Sequence, residues 1–195
     1  MTQPVLPPLP FEIRTVAVIG AGVAGRGFAL ACAAAGFHVV LEDVMPANLR
    51  RAESDFAEMD LRGSSGRMEL ALTVEDAVRM ADIAVDFVPD ELESKLEIFS
   101  MIDRMAPPKT ILCTPSYALS ITDLASCVYR PERCFAVRGD LVGRNSGARL
   151  LYPAAADEAV LVATGNFLRA LGMEARAEPD PDVPVLMKNL AQIAQ

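Results

Sequence analysis

The sequence has few of the residues that metal sites and membrane segments require. It contains one histidine and four cysteines, and no two cysteines have the CxxC spacing of a zinc site. We therefore expect no bound metal and interpret the cysteines as reduced, buried thiols. The longest uncharged run, Gly27 to Leu41, has 15 residues and is too short to span a bilayer. These absences argue against a metalloprotein and against an integral membrane protein.

Basic residues are also scarce. The chain has 18 lysines and arginines against 26 aspartates and glutamates, for a formal net charge of −8. This balance disfavours a general surface for nucleic acid or anionic membranes, but it leaves room for a local anion site. The proline-rich start, 1–10, lacks a basic segment followed by an apolar one, so no signal peptide is recognisable. We predict a cytoplasmic protein with no nucleic-acid or membrane partner.

The rest of the composition is that of one globular domain. Apolar residues fill 52% of the 195 positions, enough for a sizeable core. Short apolar runs alternate with segments of helical spacing, which predicts a mostly parallel sheet with helices on both faces. We divide the chain into a proline-rich lead-in (1–13), one α/β domain (14–183) and a terminal helix (184–195). The predicted strands are 15–19, 38–42, 68–72, 83–87, 110–113, 134–138, 150–152 and 173–177.

Helix signals fall between these strands. Two residue pairs, Thr73 with Asp76 and Ser120 with Asp123, have the spacing of capping boxes, so each pair is expected to open a short helix. The longer helices are predicted at 23–35, at 46–61, from just after Pro89 to about 105, and at 157–171.

A glycine-rich turn follows the first predicted strand. Gly20, Gly22 and Gly25 form the pattern G-x-G-x-x-G, and a predicted helix starts at Val23. In this pattern the glycines allow a tight turn, a close approach of the backbone to a pyrophosphate, and close packing of helix on strand. Backbone N–H groups at Val23 and Ala24 would face the pyrophosphate at the helix N-terminus. The turn therefore predicts a dinucleotide site.

An acidic residue ends the second predicted strand. Asp43 lies 23 residues after Gly20, near the spacing of an acid that binds the hydroxyls of the adenine ribose. Glu42 is its neighbour and could share this role. A carboxylate here would repel a 2′-phosphate, so the sequence favours NAD over NADP. The alternative is a solvated acid at the end of a strand.

Six segments follow the pattern of a known family: 16–27, 39–44, 86–95, 106–108, 111–121 and 130–133. Taken in order, they resemble the NAD-binding domain of 3-hydroxyacyl-CoA dehydrogenases. The resemblance extends from about Arg14 to Asn189 and implies a Rossmann-type domain with NAD over the glycine turn. It also implies that Asp43 holds the ribose, and that Asp90 and Lys95 lie near the nicotinamide half. For Asp90 and Lys95 a solvated helix start is the alternative.

The chain departs from this family at the positions that carry its chemistry. The family's Asn-Thr-Ser-Ser run corresponds to residues 115–118, Pro-Ser-Tyr-Ala, in this sequence. The family's catalytic His aligns with Arg138, and its Glu partner falls on Leu150. The chain's one histidine, His38, begins the second strand, about 16 Å of extended chain from the strand end where ligands bind. The usual acid/base pair is therefore expected to be absent.

Other residues near the expected site could replace this pair. Tyr117 could donate a proton to a developing alkoxide, and Ser116 is its neighbour. Arg138 could orient an anionic or carbonyl oxygen, but a guanidinium cannot accept a proton. A packing role for Tyr117 at the strand end is the alternative. Another Rossmann reductase chemistry, using Asp140 or Tyr152, also stays open.

The resemblance implies an NAD-dependent oxidoreductase of fatty acid metabolism that acts on a 3-hydroxyacyl thioester or a related hydroxy acid. Its small-molecule substrate could then be an acyl-CoA. The family has a second, helical domain after this one, and the sequence ends at Gln195, where that domain would begin. We therefore interpret 184–195 as a stub of that domain and expect a homodimer or a separate partner chain. The rival interpretation is a non-catalytic NAD(H)-binding sensor, regulatory subunit or degenerate homologue.

Overall fold

The computed structural model describes residues 12–60, 63–141, 147–182 and 184. Within these residues, eight strands form a single sheet. The strands are β1 (Thr15–Ile19), β2 (His38–Glu42), β3 (Arg67–Ala71), β4 (Ile83–Asp86), β5 (Ile111–Pro115), β6 (Cys134–Arg138), β7 (Gly147–Tyr152) and β8 (Glu174–Pro179). The helices are α1 (Val23–Ala34), α2 (Pro46–Ala57), α3 (Val74–Val78), α4 (Leu92–Met105), α5 (Ile121–Ala125) and α6 (Glu158–Ala170), with a 3-10 turn at Pro131–Arg133.

The sheet has the order β3-β2-β1-β4-β5-β6-β7-β8. Every pair of neighbouring strands is parallel except β6 and β7, which are antiparallel. The chain therefore moves outward from β1 in one direction through β2 and β3, and in the other direction from β4. This arrangement confirms the predicted Rossmann-type fold and opens a crevice at the carboxyl ends of β1 and β4.

Apolar side chains form a core on each face of the sheet. One cluster packs β-strand residues such as Val18 against α1, α2 and α6, with Phe28 and Phe167 among its members. The other packs Ile19 and its neighbours against α3, α4 and α5, with Phe99 fully buried. Helices therefore cover both faces, as the near-continuous apolar strands predicted.

The capping boxes place the two short helices. The Oγ1 of Thr73 accepts a hydrogen bond from the N–H of Asp76, and the Oγ of Ser120 accepts one from the N–H of Asp123, each at 3.2 Å. Each bond satisfies an N–H that has no partner inside its helix, so each helix begins where the pattern predicted.

The structure bears on the prediction about membrane-spanning segments but not on those about the two ends of the chain. None of the helices in the described ranges is both long and apolar enough to cross a bilayer. The predicted lead-in (1–13) and terminal helix (184–195) lie outside the described residues, apart from 12, 13 and 184.

The described cysteines are free thiols, and burial raises the pKa of Cys113 to about 12.

Candidate functional site

The glycine turn joins β1 to α1 at the crevice. Gly20 has φ of +100°, a left-handed conformation that L side chains rarely adopt. A Cβ at Gly25 would lie 1.9 Å from the carbonyl oxygen of Gly20, so α1 approaches the turn as closely as glycine permits. These two glycines are required by the fold of the turn itself.

Gly22 has a different environment. A Cβ at this position would meet nothing within 4 Å, so the protein leaves open space in front of the turn. Gly22 is also the N-cap of α1, whose first turn has neither a side-chain cap nor an acidic residue. Val23 at this helix start is 83% exposed. Free N–H groups, the positive end of the helix and open space together suit a pyrophosphate.

Asp43 lies beside the turn and is buried. Its Oδ2 accepts hydrogen bonds from the N–H of Ala21 at 2.7 Å and from Nδ2 of Asn48 at 3.1 Å. Its Oδ1 accepts one from the N–H of Met45 at 2.7 Å. A carboxylate has about four acceptor positions, so these bonds fix Asp43 and leave an acceptor for a hydroxyl group.

Two cavities open at the crevice, and Phe87 and Val88 line both. The larger cavity, about 530 Å³, lies over the ends of β1 and β2. The smaller cavity, about 280 Å³, lies towards β5 and β6. The larger is lined by Ile19, Gly20, Gly22, Glu42, Asp43, Val44, Asn48, Leu72, Thr73, Val74, Phe87, Val88, Pro89, Ile98 and Met101. The smaller is lined by Ala24, Phe87, Val88, Asp90, Pro115, Tyr117, Gly139, Asp140 and Leu141.

Tyr117 stands at the smaller cavity with 73% of its surface exposed. Its backbone N–H donates to Oδ2 of Asp90 at 2.9 Å, and its hydroxyl lies 3.5 Å from the carbonyl oxygen of Gly139. Ser116 is instead buried, and its Oγ accepts a hydrogen bond from the N–H of Leu119 at 3.0 Å. The structure thus brings Tyr117 and Asp90 together at the cavity, while Ser116 stabilises the loop behind them.

Arg138 turns away from the smaller cavity. Its Nε and NH2 donate to the carbonyl oxygens of Ser116 and Leu119, each at 3.2 Å, and NH2 also pairs with the carboxylate of Asp182. The next residue, Gly139, lines the cavity instead. Arg138 therefore connects the loop of Tyr117 to the segment after β8.

Leu150 and His38 line neither of the two cavities at the crevice. Leu150 is 1% exposed and belongs to the core that packs against α1 and α6. His38 begins β2, and its Nε2 lies 3.0 Å from Oε1 of Glu69 at the opposite end of the strands. Neither side chain can take part in proton transfer at the smaller cavity.

Lys95 lies inside the protein rather than along either cavity. It is 1% exposed, and its Nζ lies 2.7 Å from Oδ1 of Asp86, which is fully buried on β4. Burial raises the pKa of Asp86, although the charge of Lys95 opposes that effect. Lys95 therefore anchors α4 to β4 and lines neither cavity.

The cavities also contain residues that the sequence analysis did not single out. Phe87 and Val88 follow β4, the strand beside β1 at the point where the strand order reverses, so topology would have indicated them. Gly139 and Leu141 similarly follow β6. Asn48 lies in the first turn of α2, and no motif marked it.

Comparison with known proteins identifies the family. The family model for 3-hydroxyacyl-CoA dehydrogenase, NAD binding domain, matches residues 15–138. A probable 3-hydroxybutyryl-CoA dehydrogenase of Bacillus subtilis is 34% identical over 135 residues, which are 63% of this chain and 47% of that protein. L-carnitine dehydrogenase of Pseudomonas putida is 30% identical over 137 residues, 65% of this chain and 43% of that protein. The chain thus spans about half the length of these curated relatives.

Solved structures agree with this assignment. A 3-hydroxyacyl-CoA dehydrogenase of Archaeoglobus fulgidus superposes with a TM-score of 0.74 at 27% identity, over 94% of this chain and 62% of that chain. A diketoreductase superposes with a TM-score of 0.77 at 25% identity, over 93% of this chain and 70% of that chain. The open space at Gly22, the uncapped start of α1 and the carboxylate of Asp43 suit the dinucleotide that the matching family binds. The chain therefore belongs to the family of 3-hydroxyacyl-CoA dehydrogenase NAD-binding domains, and its cofactor is NAD.

Proposed function

We propose that the protein catalyses NAD-linked hydride transfer on a 3-hydroxyacyl thioester or a related hydroxy acid, with Tyr117 as the group that exchanges the proton. The observation that carries this proposal is the position of Tyr117. Its hydroxyl group lies at the smaller cavity, which adjoins the larger cavity at Phe87 and Val88. A reactive end bound there would have a proton donor beside it.

Different residues of the chain would contact different parts of the cofactor and the substrate along the crevice. Gly22 and the start of α1 would hold the pyrophosphate, and Asp43 would accept a hydrogen bond from the adenine ribose. The cofactor held by these residues would supply the hydride chemistry at the carbonyl carbon of the substrate. The Tyr117 hydroxyl gives its proton to the carbonyl oxygen, and because this side chain is 73% exposed, water can reprotonate it.

The substrate class is inferred from the relatives. The matching proteins include a probable 3-hydroxybutyryl-CoA dehydrogenase and L-carnitine dehydrogenases. Both names are those of dehydrogenases, and the first names a 3-hydroxyacyl-CoA, so we propose a hydroxyl or keto group as the reacting centre and an acyl-CoA as the first substrate to test.

The test is single-turnover oxidation of NADH with acetoacetyl-CoA at high protein concentration. General acid catalysis contributes about 10²- to 10⁴-fold to a rate, so Tyr117→Phe should slow the reaction by about a hundredfold or more. Tyr129→Phe is the matched control, because Tyr129 is 86% exposed and lines neither cavity. An equal rate in the Tyr117→Phe variant and the wild type would contradict the role of Tyr117.

A second candidate function is NAD(H) binding without catalysis. Two observations favour it: Arg138 is engaged by Ser116, Leu119 and Asp182, and Leu150 lies in the core. Tight NADH binding with no oxidation of NADH by any 3-keto substrate would support this function. Activity that appears only at protein concentrations where a homodimer or a complex with a partner chain forms would instead support a site completed by a second chain.

A further inference from the structure

Glu42 is a buried acid whose carboxyl has no hydrogen-bond or ion-pair partner within the described residues. It ends β2 with a relative exposure of 3%, and it lines the larger cavity. Its neighbour Asp43 differs, since three donors hold its carboxylate. Among the described residues, the enclosed side-chain atoms without a hydrogen-bond partner are His38 Nε2 and Asp86 Oδ2, so the oxygens of Glu42 are not sealed off, and a donor in the cavity can reach them.

The wall of the cavity around Glu42 is apolar. Along β2, Val40 packs on the face that α3 and α4 cover, and Glu42 lies two residues later on the same face. The cavity residues from the end of β3, the start of α3 and α4 are Leu72, Thr73, Val74, Ile98 and Met101. A flat apolar ring with a polar edge fits between such walls.

Among the described residues that line the cavity, none is a cation that could pair with Glu42. Apart from Glu42 and Asp43, the described residues that line it are uncharged. Burial, together with the charge of Asp43, raises the pKa of Glu42. A neutral donor from a ligand would pair with this carboxyl at little electrostatic cost.

We propose that Glu42 recognises the adenine base of the cofactor by accepting a hydrogen bond from its exocyclic amino group. Asp43 is bound to Ala21 of the glycine turn, so it is the acid placed beside the ribose, whereas Glu42 lies among the apolar walls that suit the base. Glu42 is thus a specificity-determining residue for adenine. This inference rests on the NAD binding of the family and not on the hydride transfer proposed above.

The test compares the dissociation constants of NADH and of reduced nicotinamide hypoxanthine dinucleotide at pH 8. The second compound has a carbonyl oxygen in place of the exocyclic amino group, and its ring nitrogen N1 carries a hydrogen. Wild-type protein should bind NADH about tenfold more tightly, as expected for one hydrogen bond to a charged group. In Glu42→Gln the preference should disappear, because the amide can accept from the amino group or donate to the carbonyl oxygen.

Glu174→Gln is the matched control, since Glu174 is an exposed residue of β8 and lines neither cavity. This variant should keep the tenfold preference. Equal affinity of the wild-type protein for both dinucleotides would overturn the proposal without any variant. An unchanged preference in Glu42→Gln would also overturn it, as would an equal loss for both dinucleotides, which would place the carboxyl on the ribose. Failure of Tyr117→Phe to slow NADH oxidation would leave these binding ratios unaffected, so the two proposals fail separately.

Discussion

At the scale of single residues, the glycines of the turn serve two different purposes. Gly25 permits contact between α1 and the turn, since a Cβ would lie 1.9 Å from the Gly20 carbonyl oxygen. Gly22 faces open space and has φ of −60°, which any residue adopts. The close contact therefore requires glycine at position 25, whereas the open space at Gly22 suits the approach of a ligand.

This distinction predicts opposite effects for two alanine variants. Gly22→Ala should keep the melting temperature nearly unchanged and weaken NADH binding about tenfold or more, because the methyl group occupies the space of the pyrophosphate. Gly25→Ala should lose about 1–3 kcal/mol of unfolding free energy through overpacking. Thermal unfolding and fluorescence titration with NADH measure the two effects. Wild-type affinity in a folded Gly22→Ala variant would contradict the placement of the pyrophosphate.

The sequence predicts residues of the site only where spacing along the chain determines their position. The glycine turn and Asp43 belong to a fixed pattern of strand, turn and helix, so their positions follow from the sequence. Lys95 was expected near the cofactor, yet it pairs with Asp86 inside the protein. That pairing depends on the packing of α4 against β4, which no spacing rule specifies. Arg138 similarly pairs with Asp182, which lies 44 residues further along the chain, so this contact too depends on tertiary packing.

At the scale of elements, the ion pair of Lys95 and Asp86 holds α4 against the central strand β4. The β4–α4 loop carries Phe87, Val88 and Asp90, which line the cavities, so the pair positions the loop between them. Neither charge is accessible to water. Removing one partner leaves the other charge buried without compensation.

We expect Lys95→Met to lower the unfolding free energy by about 3–5 kcal/mol, as measured by urea denaturation. The double variant Lys95→Met with Asp86→Leu should recover most of this loss, because it buries no charge. Lys109→Met serves as the control, since the Lys109 side chain is 55% exposed where it pairs with Asp82. A loss below about 1 kcal/mol for Lys95→Met would contradict a charged, buried pair.

The elements themselves followed closely from the sequence. The apolar runs predicted β1, β2 and β6 with the bounds that the structure has. Ends were less accurate: the helix predicted at 46–61 ends at Ala57, and the strand predicted from Leu150 begins at Gly147. The start of β7 is set by its pairing with β6 and β8, where Gly147 lies opposite Glu174, and such pairing is a tertiary contact that local pattern does not contain.

At the scale of the whole molecule, the larger cavity makes the stability of the fold depend on pH. The pKa of Glu42 is raised above its ordinary value of 4.5 by burial and by Asp43. A group with a raised pKa in the folded state stabilises the fold below its unfolded pKa, and this contribution is lost as the pH rises through the folded value. The cofactor-free protein therefore bears a penalty that begins above pH 4.5 and is complete once the pH has passed the raised pKa of Glu42.

Glu42→Gln should remove this penalty. We expect the variant to exceed the wild type in unfolding free energy at pH 8 and the difference to shrink towards pH 4. Urea denaturation at a series of pH values, without NAD, measures it, and Glu174→Gln gives the baseline. A wild-type protein that is more stable than the variant at pH 8 would show that a donor inside the protein already pairs with Glu42.

The bonds of Arg138 have a mechanical consequence. Its guanidinium holds the carbonyl oxygens of Ser116 and Leu119 on one side and the carboxylate of Asp182 on the other. Asp180 lies in the same segment as Asp182. Its carboxylate accepts two further hydrogen bonds, one from the hydroxyl of Ser120 and one from the N–H of Thr122. These bonds tie the loop of Tyr117 to the segment after β8, so a shift of that segment would be transmitted to the loop.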